Sequence, residues 1–409
     1  MTAAQRDVAV TGLGLVTPAG IGVDASWAGV LAGTGTAATD PSLDGVPVDM
    51  SCRVPGFDAE QLLGRKASRR LDRFVQLALV AAAEAVTDAG LHPATWDGAR
   101  VGVVMGCGMG GAATWEQQHA RMLDSGPTKV SPLLIPMLVP NMVAGHLAIE
   151  LGALGPNLVT ATACASGATA IGVARDLLRA GAADVVLTGG TEAGLTPLSI
   201  AGFAQMGALS RRTSDPPSAS RPFDADRDGF VAAEAAGVLV LERDADATAR
   251  GARVRARVSG YGASADAHHI TAPDPDGAGA ARAMRTAIAD AGLAPDDIVH
   301  VNAHGTSTPL NDVAEARTVR AVVGDEVSIT STKGVTGHAL GAAGAIEAAF
   351  TVLTVEHGLV PPTANLDSCD PEVDVDVVAK APREQAVPAA MSNSFGFGGQ
   401  NAVLVVTAA

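Results

Sequence analysis

The chain has 409 residues, a formal net charge of −15, 47% hydrophobic residues and only 3% aromatic residues. This length suits two domains or one large duplicated fold, and the hydrophobic fraction is enough for a large core. The negative charge argues against nonspecific nucleic-acid binding, which needs clustered Lys and Arg side chains.

Four cysteines, Cys52, Cys107, Cys164 and Cys369, occur without C-x-x-C spacing. We therefore expect neither a metal site nor a redox pair, and the cysteine usage indicates a reducing, cytoplasmic compartment. The first residues, "MTAAQRDVAV", lack the apolar segment of a signal peptide. The sequence contains no run of 18 apolar residues, so we expect no membrane span.

Strand-like and helical segments alternate along the chain. The stretch "DVAVTGLGLV" predicts a strand leading into a glycine turn, and a nucleotide fingerprint is not favoured because Thr17 stands where G-x-G-x-x-G needs its third glycine. "DRFVQLALVAAAEAVTDAG" predicts a helix that ends at Gly90. "ARVGVVMGCG", "ADVVLTGGTEA" and "AGVLVLERD" predict buried strands. This alternation indicates an α/β protein.

Two pairs of segments resemble each other. "AVTDAGLHPATWDGARVGVVMGCG" parallels "AIADAGLAPDDIVHVNAHGTST", and "TACASGATAIG" parallels "TGHALGAAGAIEA". Two equivalent halves explain this repetition, with chance similarity of Ala-Gly-rich helices as the alternative. We place the halves at residues 1–250 and 251–409, with the polar stretch Ser210–Phe230 as a surface loop between them.

Several residues are candidates for chemistry. Cys164 stands between the β-favouring run "LVTATA" and a small-residue helix start, where free helix N–H groups would favour a thiolate; the alternative is a buried core cysteine. His304 opens a loop whose hydroxyls, Thr306 and Thr308, can donate hydrogen bonds. His338 lies in a second Gly-Thr loop. The closing "NSFGFGGQN" predicts either a loop that presents amides to an oxyanion or an ordinary glycine-rich hairpin.

Six motifs occur in the order found in one enzyme family. They are "PNMVAGHLA", "TACASG", "SRPFDADRDGF", "VNAHGTSTP", "STKGVTGHALGAAGA" and "NSFGFGG". With them the chain resembles, over nearly its whole length, the β-ketoacyl-acyl-carrier-protein synthases of the thiolase superfamily, and most closely the elongating KAS II type. The resemblance implies a duplicated thiolase fold of five layers, α-β-α-β-α, usually as a dimer.

The resemblance also assigns roles to individual residues. It implies that Cys164 accepts the acyl group and that His304 and His338 are the active-site histidines, supported by Lys333 and Glu347. It implies an oxyanion hole made by the amides of Cys164 and Phe397. The substrate-binding residues that it implies are Thr306, Thr308, Met109, Phe203, Phe395 and Phe397. The implied reaction is decarboxylative condensation with malonyl-acyl carrier protein, which needs no cofactor beyond the carrier's phosphopantetheine.

Relatives with other activities differ at these positions. Initiating synthases use His and Asn beside the Cys, and chain-length factors lack the Cys. A thiolase-like coenzyme A acyltransferase would need a second cysteine near the C-terminus, where "NSFGFGGQN" has none. A non-catalytic partner subunit of a heterodimer is the remaining alternative. The departures "GFVAAEAAG", "TPLND" and "GGQN" remove no catalytic group, but they leave room for a specialised pathway such as polyketide assembly.

An acidic carrier protein needs a local positive surface on this acidic chain. The segment "GRKASRR" supplies Arg65, Lys66, Arg69 and Arg70, and Lys129 can join them. We expect these residues to dock the carrier protein, with an ordinary solvated helix face as the alternative. We further expect Met109 and Phe203 to limit the length of the acyl chain, with plain core packing as the alternative.

Overall fold

The computed structural model describes residues 8–409. The beginning of the chain, on which the expectation about a signal peptide rests, lies partly outside these described residues. The helices are α1 (Val23–Ala32), α2 (Ala59–Leu63), α3 (Arg65–Ser68), α4 (Arg73–Asp88), α5 (Ala112–Ser125), α6 (Leu134–Leu138), α7 (Met142–Leu151), α8 (Ser166–Arg179), α9 (Pro197–Gln205), α10 (Asp244–Ala249), α11 (Ala278–Ala291), α12 (Pro309–Val323), α13 (Lys333–Thr336) and α14 (Ala343–His357).

The strands are β1 (Val8–Thr17), β2 (Gly20–Ile21), β3 (Ala38–Thr39), β4 (Met50–Ser51), β5 (Val101–Gly106), β6 (Asn157–Thr160), β7 (Val185–Glu192), β8 (Ala235–Arg243), β9 (Ala256–Ala265), β10 (His300–Asn302), β11 (Ser328–Thr330), β12 (Leu359–Val360), β13 (Asp376–Val377), β14 (Arg383–Glu384), β15 (Ala389–Gly396) and β16 (Gln400–Thr407). Between residues 8 and 409 no helix has both the length and the apolar character needed to span a bilayer.

The strands form two halves with the same topology. The first half has the order β1-β8-β7-β5-β6, in which β5 runs parallel to β6 and β7 while β8 is antiparallel to both neighbours. The second half has the order β9-β16-β15-β10-β11 with the same pattern of directions, and β13 adds an edge strand. A short antiparallel pairing of β1 with β9 joins the halves. The predicted duplication is therefore confirmed.

Helices fill three layers around these sheets. Helix α4 packs on β1 and β8, and α11 packs in the equivalent place on β9 and β16. Helices α8 and α14 contact each other and lie between the sheets, with α8 against β5 and β7 and α14 against β8 and β15. This arrangement confirms the five-layer thiolase fold. Both sequence repeats map onto equivalent elements, because one pair leads from α4 or α11 into the next strand and the other begins α8 or α14. The boundary at residues 250/251 stays a prediction.

The central helices cross where their side chains are smallest. A β-carbon on Gly167 of α8 would lie 2.6 Å from the backbone nitrogen of Ala345, and one on Gly344 of α14 would lie 2.8 Å from the nitrogen of Ala168. Both distances are too short for real carbon atoms, so this crossing requires glycine on both helices. The contact fixes the helix starts of the two halves side by side.

Two expectations about the chain are wrong. The glycines of "TGLGLV" do not form a turn, since β1 runs through them; β-carbons on Gly12 and Gly14 would lie 2.1 and 1.8 Å from carbonyl oxygens of α4. The stretch Ser210–Phe230 precedes β8 within the first half, and much of it is buried. Its polar residues pair internally, as when the Arg221 guanidinium binds Asp224 at 2.8 Å, so polarity there did not mean exposure.

We predict that Gly167→Ala destabilises the fold by about 1–3 kcal/mol, because the added methyl group overlaps the backbone of α14. Thermal unfolding should show a lower Tm for this variant. The matched control is Gly202→Ala in α9, where a β-carbon meets nothing within 4 Å and alanine favours the helix. Equal melting temperatures for Gly167→Ala and the unaltered protein would contradict the close crossing.

Candidate active site

Cys164 lies in a strained turn between β6 and α8. The turn spans Ala163–Ala165, and Ala163 has a φ of 49°, a left-handed conformation that is uncommon for alanine. Ser166 holds the turn: its hydroxyl donates to the carbonyl of Ala163 at 2.6 Å and accepts from the amide of Thr162 at 3.0 Å. The strain is therefore compensated by local hydrogen bonds, and it presents Cys164 at the entrance to the helix.

The second half contains an equivalent turn without a nucleophile. Leu340–Ala342 immediately precedes α14, and Leu340 has a φ of 46°. Gly341 occupies the place that Cys164 has in the first half. The same strained turn therefore precedes α8 and α14, but only the turn before α8 carries a thiol.

Two histidines from the second half face this thiol. His304 follows β10, and His338 follows α13; their rings lie perpendicular to each other with centroids 5.3 Å apart. Ligand atoms of Cys164, His304 and His338 lie within 4.8 Å of one another, and all three residues are buried. The structure therefore brings together the three residues that the motifs indicated. Their spacing would also allow them to hold a metal ion, although the sequence predicted none.

Burial controls the protonation of this cluster. It raises the pKa of the Cys164 thiol to about 11, although Lys333 and the Phe397 amide act in the opposite direction. Burial also moves the pKa of His304 and His338 well below the usual range, and the charge of Lys333 adds to this effect. These shifts favour a thiol and two uncharged imidazoles near neutral pH. The expectation that the helix start favours a thiolate stays a prediction, and burial of the thiol acts against it.

Lys333 and Glu347 form a buried ion pair beneath the histidines. The Lys333 ammonium binds Glu347 and donates to the carbonyl oxygen of His304 at 2.6 Å. Burial raises the pKa of Glu347 to about 7, while Lys333 lowers it. The pair thereby links α13 and α14 to the backbone that carries His304.

A second carboxylate, which the motifs did not reveal, fixes the same backbone. Glu315 of α12 accepts the amide of His304 at 2.8 Å and the amide of Gly305 at 2.7 Å, and Asn393 donates to it at 3.1 Å. Asp312, one turn earlier on α12, accepts the amide of Phe223 at 2.9 Å. Acidic residues in the helix after the histidine loop were the one available signal, and they do not reveal which amides are bound.

The C-terminal hairpin covers the thiol. Strands β15 and β16 form the hairpin, and the backbone amide of Phe397 at its turn lies near enough to the Cys164 thiol to lower its pKa. A β-carbon on Gly396 would lie 3.2 Å from the Cys164 nitrogen, so the two backbones are adjacent. Phe395 packs edge-on against His304 at 5.8 Å. The hairpin backbone therefore lies beside the Cys164 amide, and the oxyanion hole made by the amides of Cys164 and Phe397 stays a prediction.

A cavity of about 830 Å³ opens onto this cluster. The predicted residues that line it are Cys164, His304, His338, Thr306, Thr308, Phe203, Phe395 and Phe397. The hydroxyls of Thr306 and Thr308 lie 2.9 Å apart. Met109 does not line the cavity. Among the described residues, Cys164 is the one cysteine in the lining, and this does not favour a thiolase-like site with two cysteines. Cys369 is exposed elsewhere.

The basic residues predicted to dock a partner are separate from the cavity. Arg65, Lys66, Arg69 and Arg70 are exposed on and just after α3, and Lys129 is exposed in the turn after α5. Arg69 lies 3.5 Å from Glu60, and none of these residues lines the cavity. Their role stays a prediction.

Comparison with known proteins agrees with this geometry. Residues 5–247 match "Beta-ketoacyl synthase, N-terminal domain", and residues 255–367 match "Beta-ketoacyl synthase, C-terminal domain". A 3-oxoacyl-[acyl-carrier-protein] synthase 2 from Synechocystis is 47% identical over 407 residues, which cover 98% of this chain and 97% of that protein.

Two solved structures share the fold. The ishigamide ketosynthase/chain length factor has a TM-score of 0.91 and 35% identity, over 99% of each chain. A type II polyketide acyl-carrier protein in complex with its ketosynthase gives a TM-score of 0.90 and 33% identity, also over 99% of each chain. With both domains matched and a relative of this identity along nearly its whole length, the chain belongs to the β-ketoacyl synthase family.

Proposed function

We propose that this chain elongates an acyl group held on Cys164 by decarboxylative condensation with malonyl-acyl carrier protein, in fatty acid or polyketide synthesis. One thiol and two imidazoles approach to within 4.8 Å in the lining of a cavity, and this geometry is the main support for the proposal. Such a site can combine covalent catalysis with stabilisation of an enolate.

In the first step the Cys164 sulfur attacks the thioester that joins the acyl group to the carrier's phosphopantetheine. The carbonyl oxygen becomes an oxyanion, for which the amides of Cys164 and Phe397 are the proposed donors. The carbon–sulfur bond to phosphopantetheine then breaks, and the departing thiol takes a proton in exchange for the one lost by Cys164. Because burial raises the pKa of Cys164 to about 11, we propose that proton removal accompanies the attack.

In the second step malonyl carrier protein occupies the cavity. The bond to its carboxylate breaks, carbon dioxide leaves, and the electron pair forms an enolate on the thioester. The Nδ1 atom of each histidine is buried and has no hydrogen-bond partner among residues 8–409, and we propose Nε2–H as the donor to the enolate oxygen. The enolate carbon attacks the acyl-Cys164 carbonyl, the bond from that carbon to the Cys164 sulfur breaks, and the released thiolate takes a proton from solvent.

Lys333, Glu347 and the two threonines have supporting roles in this proposal. Burial is the main reason that the pKa of both histidines is low; the charge of Lys333 adds to this effect, and Glu347 balances that charge within the buried site. The hydroxyls of Thr306 and Thr308 line the cavity beside His304, where they can bind amides of the phosphopantetheine arm. No further cofactor is needed, because decarboxylation drives the condensation.

We predict that His304→Ala and His338→Ala each retain acylation of Cys164 but lose release of carbon dioxide from malonyl carrier protein. Removal of one donor to a developing oxyanion typically slows a reaction by ~10²–10³. Radiolabelled malonyl carrier protein gives the decarboxylation rate, and intact-protein mass gives acylation. His92→Ala, an exposed histidine, is the control. Normal decarboxylation by both site variants would contradict these roles.

We further propose that the carrier protein docks through the basic cluster of Arg65, Lys66, Arg69 and Lys129. These exposed cations stand out in a chain of net charge −15. The solved complex of a related ketosynthase with its acyl-carrier protein supports docking of this class of partner.

Charge reversal at Arg65, Lys66 and Arg69 should raise KM for carrier-bound substrate about 3- to 30-fold and weaken its dependence on salt, because surface charges steer association. The control is Arg285→Glu, an exposed arginine on α11. An unchanged KM in the cluster variant would indicate another docking surface.

We also propose a dimer. The other edge of strand β6 pairs with no strand among the described residues, and apolar side chains are exposed on β6, on the loop before it and on helices α5, α6 and α7: Trp115, Leu123, Ile135, Ile149, Leu154 and Leu158. An unpaired edge beside exposed apolar side chains is typical of a covered interface. Because a related ketosynthase was solved with a chain length factor, a second copy and a second ketosynthase-like subunit are both candidates.

Sedimentation of the chain alone distinguishes these partners. A homodimer should have twice the mass of the 40.8 kDa chain. A monomer that stays monomeric at high concentration would contradict the homodimer, and failure of Leu158→Lys to weaken the association would contradict this surface.

We propose a cytoplasmic location, since all four cysteines are free as expected in a reducing compartment.

A further inference from the structure

Glu192 is a buried carboxylate that the condensation steps do not use. It ends strand β7 and is fully buried. One carboxylate oxygen accepts the amides of Gly108 at 2.8 Å and Gly341 at 3.2 Å. The other accepts the amide of Met109 at 3.2 Å and the thiol of Cys107 at 3.6 Å. All of its hydrogen-bond partners are backbone amides or a thiol. The Glu192 carboxylate therefore holds the loop of residues 107–109 to the backbone at Gly341, and we call this set of hydrogen bonds the clamp.

The clamp joins two segments at the wall of the acyl site. One is the loop after β5, which carries Met109; the other is the turn before α14, where Leu340 lines the cavity with Cys164. A β-carbon on Gly194 would lie 2.8 Å from the Met109 sulfur and 3.9 Å from a methyl group of Leu340. The two side chains therefore approach the same point, with Leu340 facing the cavity and Met109 outside its lining.

The second half of the fold uses the same device for a residue of the active site. There Glu315 accepts two successive amides, those of His304 and Gly305, directly after β10. Glu192 likewise accepts the successive amides of Gly108 and Met109 after β5, the equivalent strand. The carboxylates come from different elements, yet each fixes the loop that follows the same strand. One loop carries His304, and the other carries Met109.

We propose that Glu192 is a positioning residue that holds the Met109 loop against Leu340 and thereby limits the length of acyl chain that Cys164 accepts. This inference rests on the proposed function, because it concerns loading of acyl groups onto Cys164. When Glu192 is ionised, its two oxygens can accept hydrogen bonds from all three amides and from the Cys107 thiol. A protonated Glu192 turns one oxygen into a donor that faces amide donors, so the clamp loosens.

The protonation of Glu192 makes this clamp sensitive to pH. Burial raises the pKa of Glu192 to about 7, against which its amide partners act. The titratable groups coupled to it are the thiols of Cys107 and Cys164; burial raises the pKa of both, so neither ionises near neutral pH. Above about pH 7 the clamp is ionised and closed, and below it the clamp is protonated and open. Loading of long chains should therefore rise, relative to short chains, as pH falls.

The test is the yield of acyl-enzyme against acyl-chain length, measured by intact mass for the full chain. Glu192→Gln should raise the ratio of long-chain to short-chain loading about 10-fold at pH 8, since an amide cannot accept from every donor. The matched control is Glu84→Gln, because Glu84 also accepts only amides, those of Leu15 and Val23, far from the cavity. Glu84→Gln should keep the unaltered ratio.

The same ratio, measured in the unaltered protein from about pH 8 to about pH 6, should rise several-fold, and it should stay flat in Glu192→Gln. A ratio cancels the dependence of acylation chemistry itself on pH. An unaltered protein that loads no acyl group overturns the proposed function and this inference together. Normal loading with a ratio independent of pH, or the same in Glu192→Gln, overturns this inference alone. If Glu192→Gln does not fold, the pH series on the unaltered protein decides.

Discussion

The close crossing of α8 and α14 is the constraint on which the rest of the structure depends. Each helix follows a strained turn. The two helix backbones approach so closely that a β-carbon on Gly167 or Gly344 would overlap the backbone of the other helix. The crossing places the turn of Cys164, from the first half, beside the loops of His304 and His338, from the second. Neither half alone has the three groups. Buried Arg175 of α8 adds to the connection by donating to carbonyl oxygens of β9.

Burial of this junction determines its chemistry. Away from water, a thiol keeps its proton and imidazoles stay uncharged, so the resting site carries no exposed reactive anion. The one strong charge, Lys333, is neutralised by Glu347 in contact with it. In such surroundings amide and imidazole N–H groups stabilise a developing oxyanion more strongly than they would in water. The energy for the reaction then comes from loss of carbon dioxide, and the protein supplies position and polarity.

The features of the fold and the site that could be predicted from the sequence are those that leave a local pattern in it. Strand and helix periodicity predicted the α/β class, repetition predicted the two halves, and ordered motifs indicated Cys164, His304 and His338. Glu315 and Glu192 were not found, because a carboxylate that binds distant amides leaves no spacing rule in the chain. Ser210–Phe230 was misjudged because its polar side chains are paired inside the fold. The protonated state of Cys164 depends on desolvation by residues far apart in the sequence, which no local motif reports.

The junction of the two halves places Cys164 where it can hold the acyl group as a thioester. Incubation with an acylated carrier protein, followed by digestion and mass spectrometry, tests it directly. Three of the four cysteines are buried, so burial alone does not select one of them. We expect the acyl group on the peptide that contains Cys164, and none on that peptide in Cys164→Ala. Acylation of Cys52, Cys107 or Cys369 instead would contradict it.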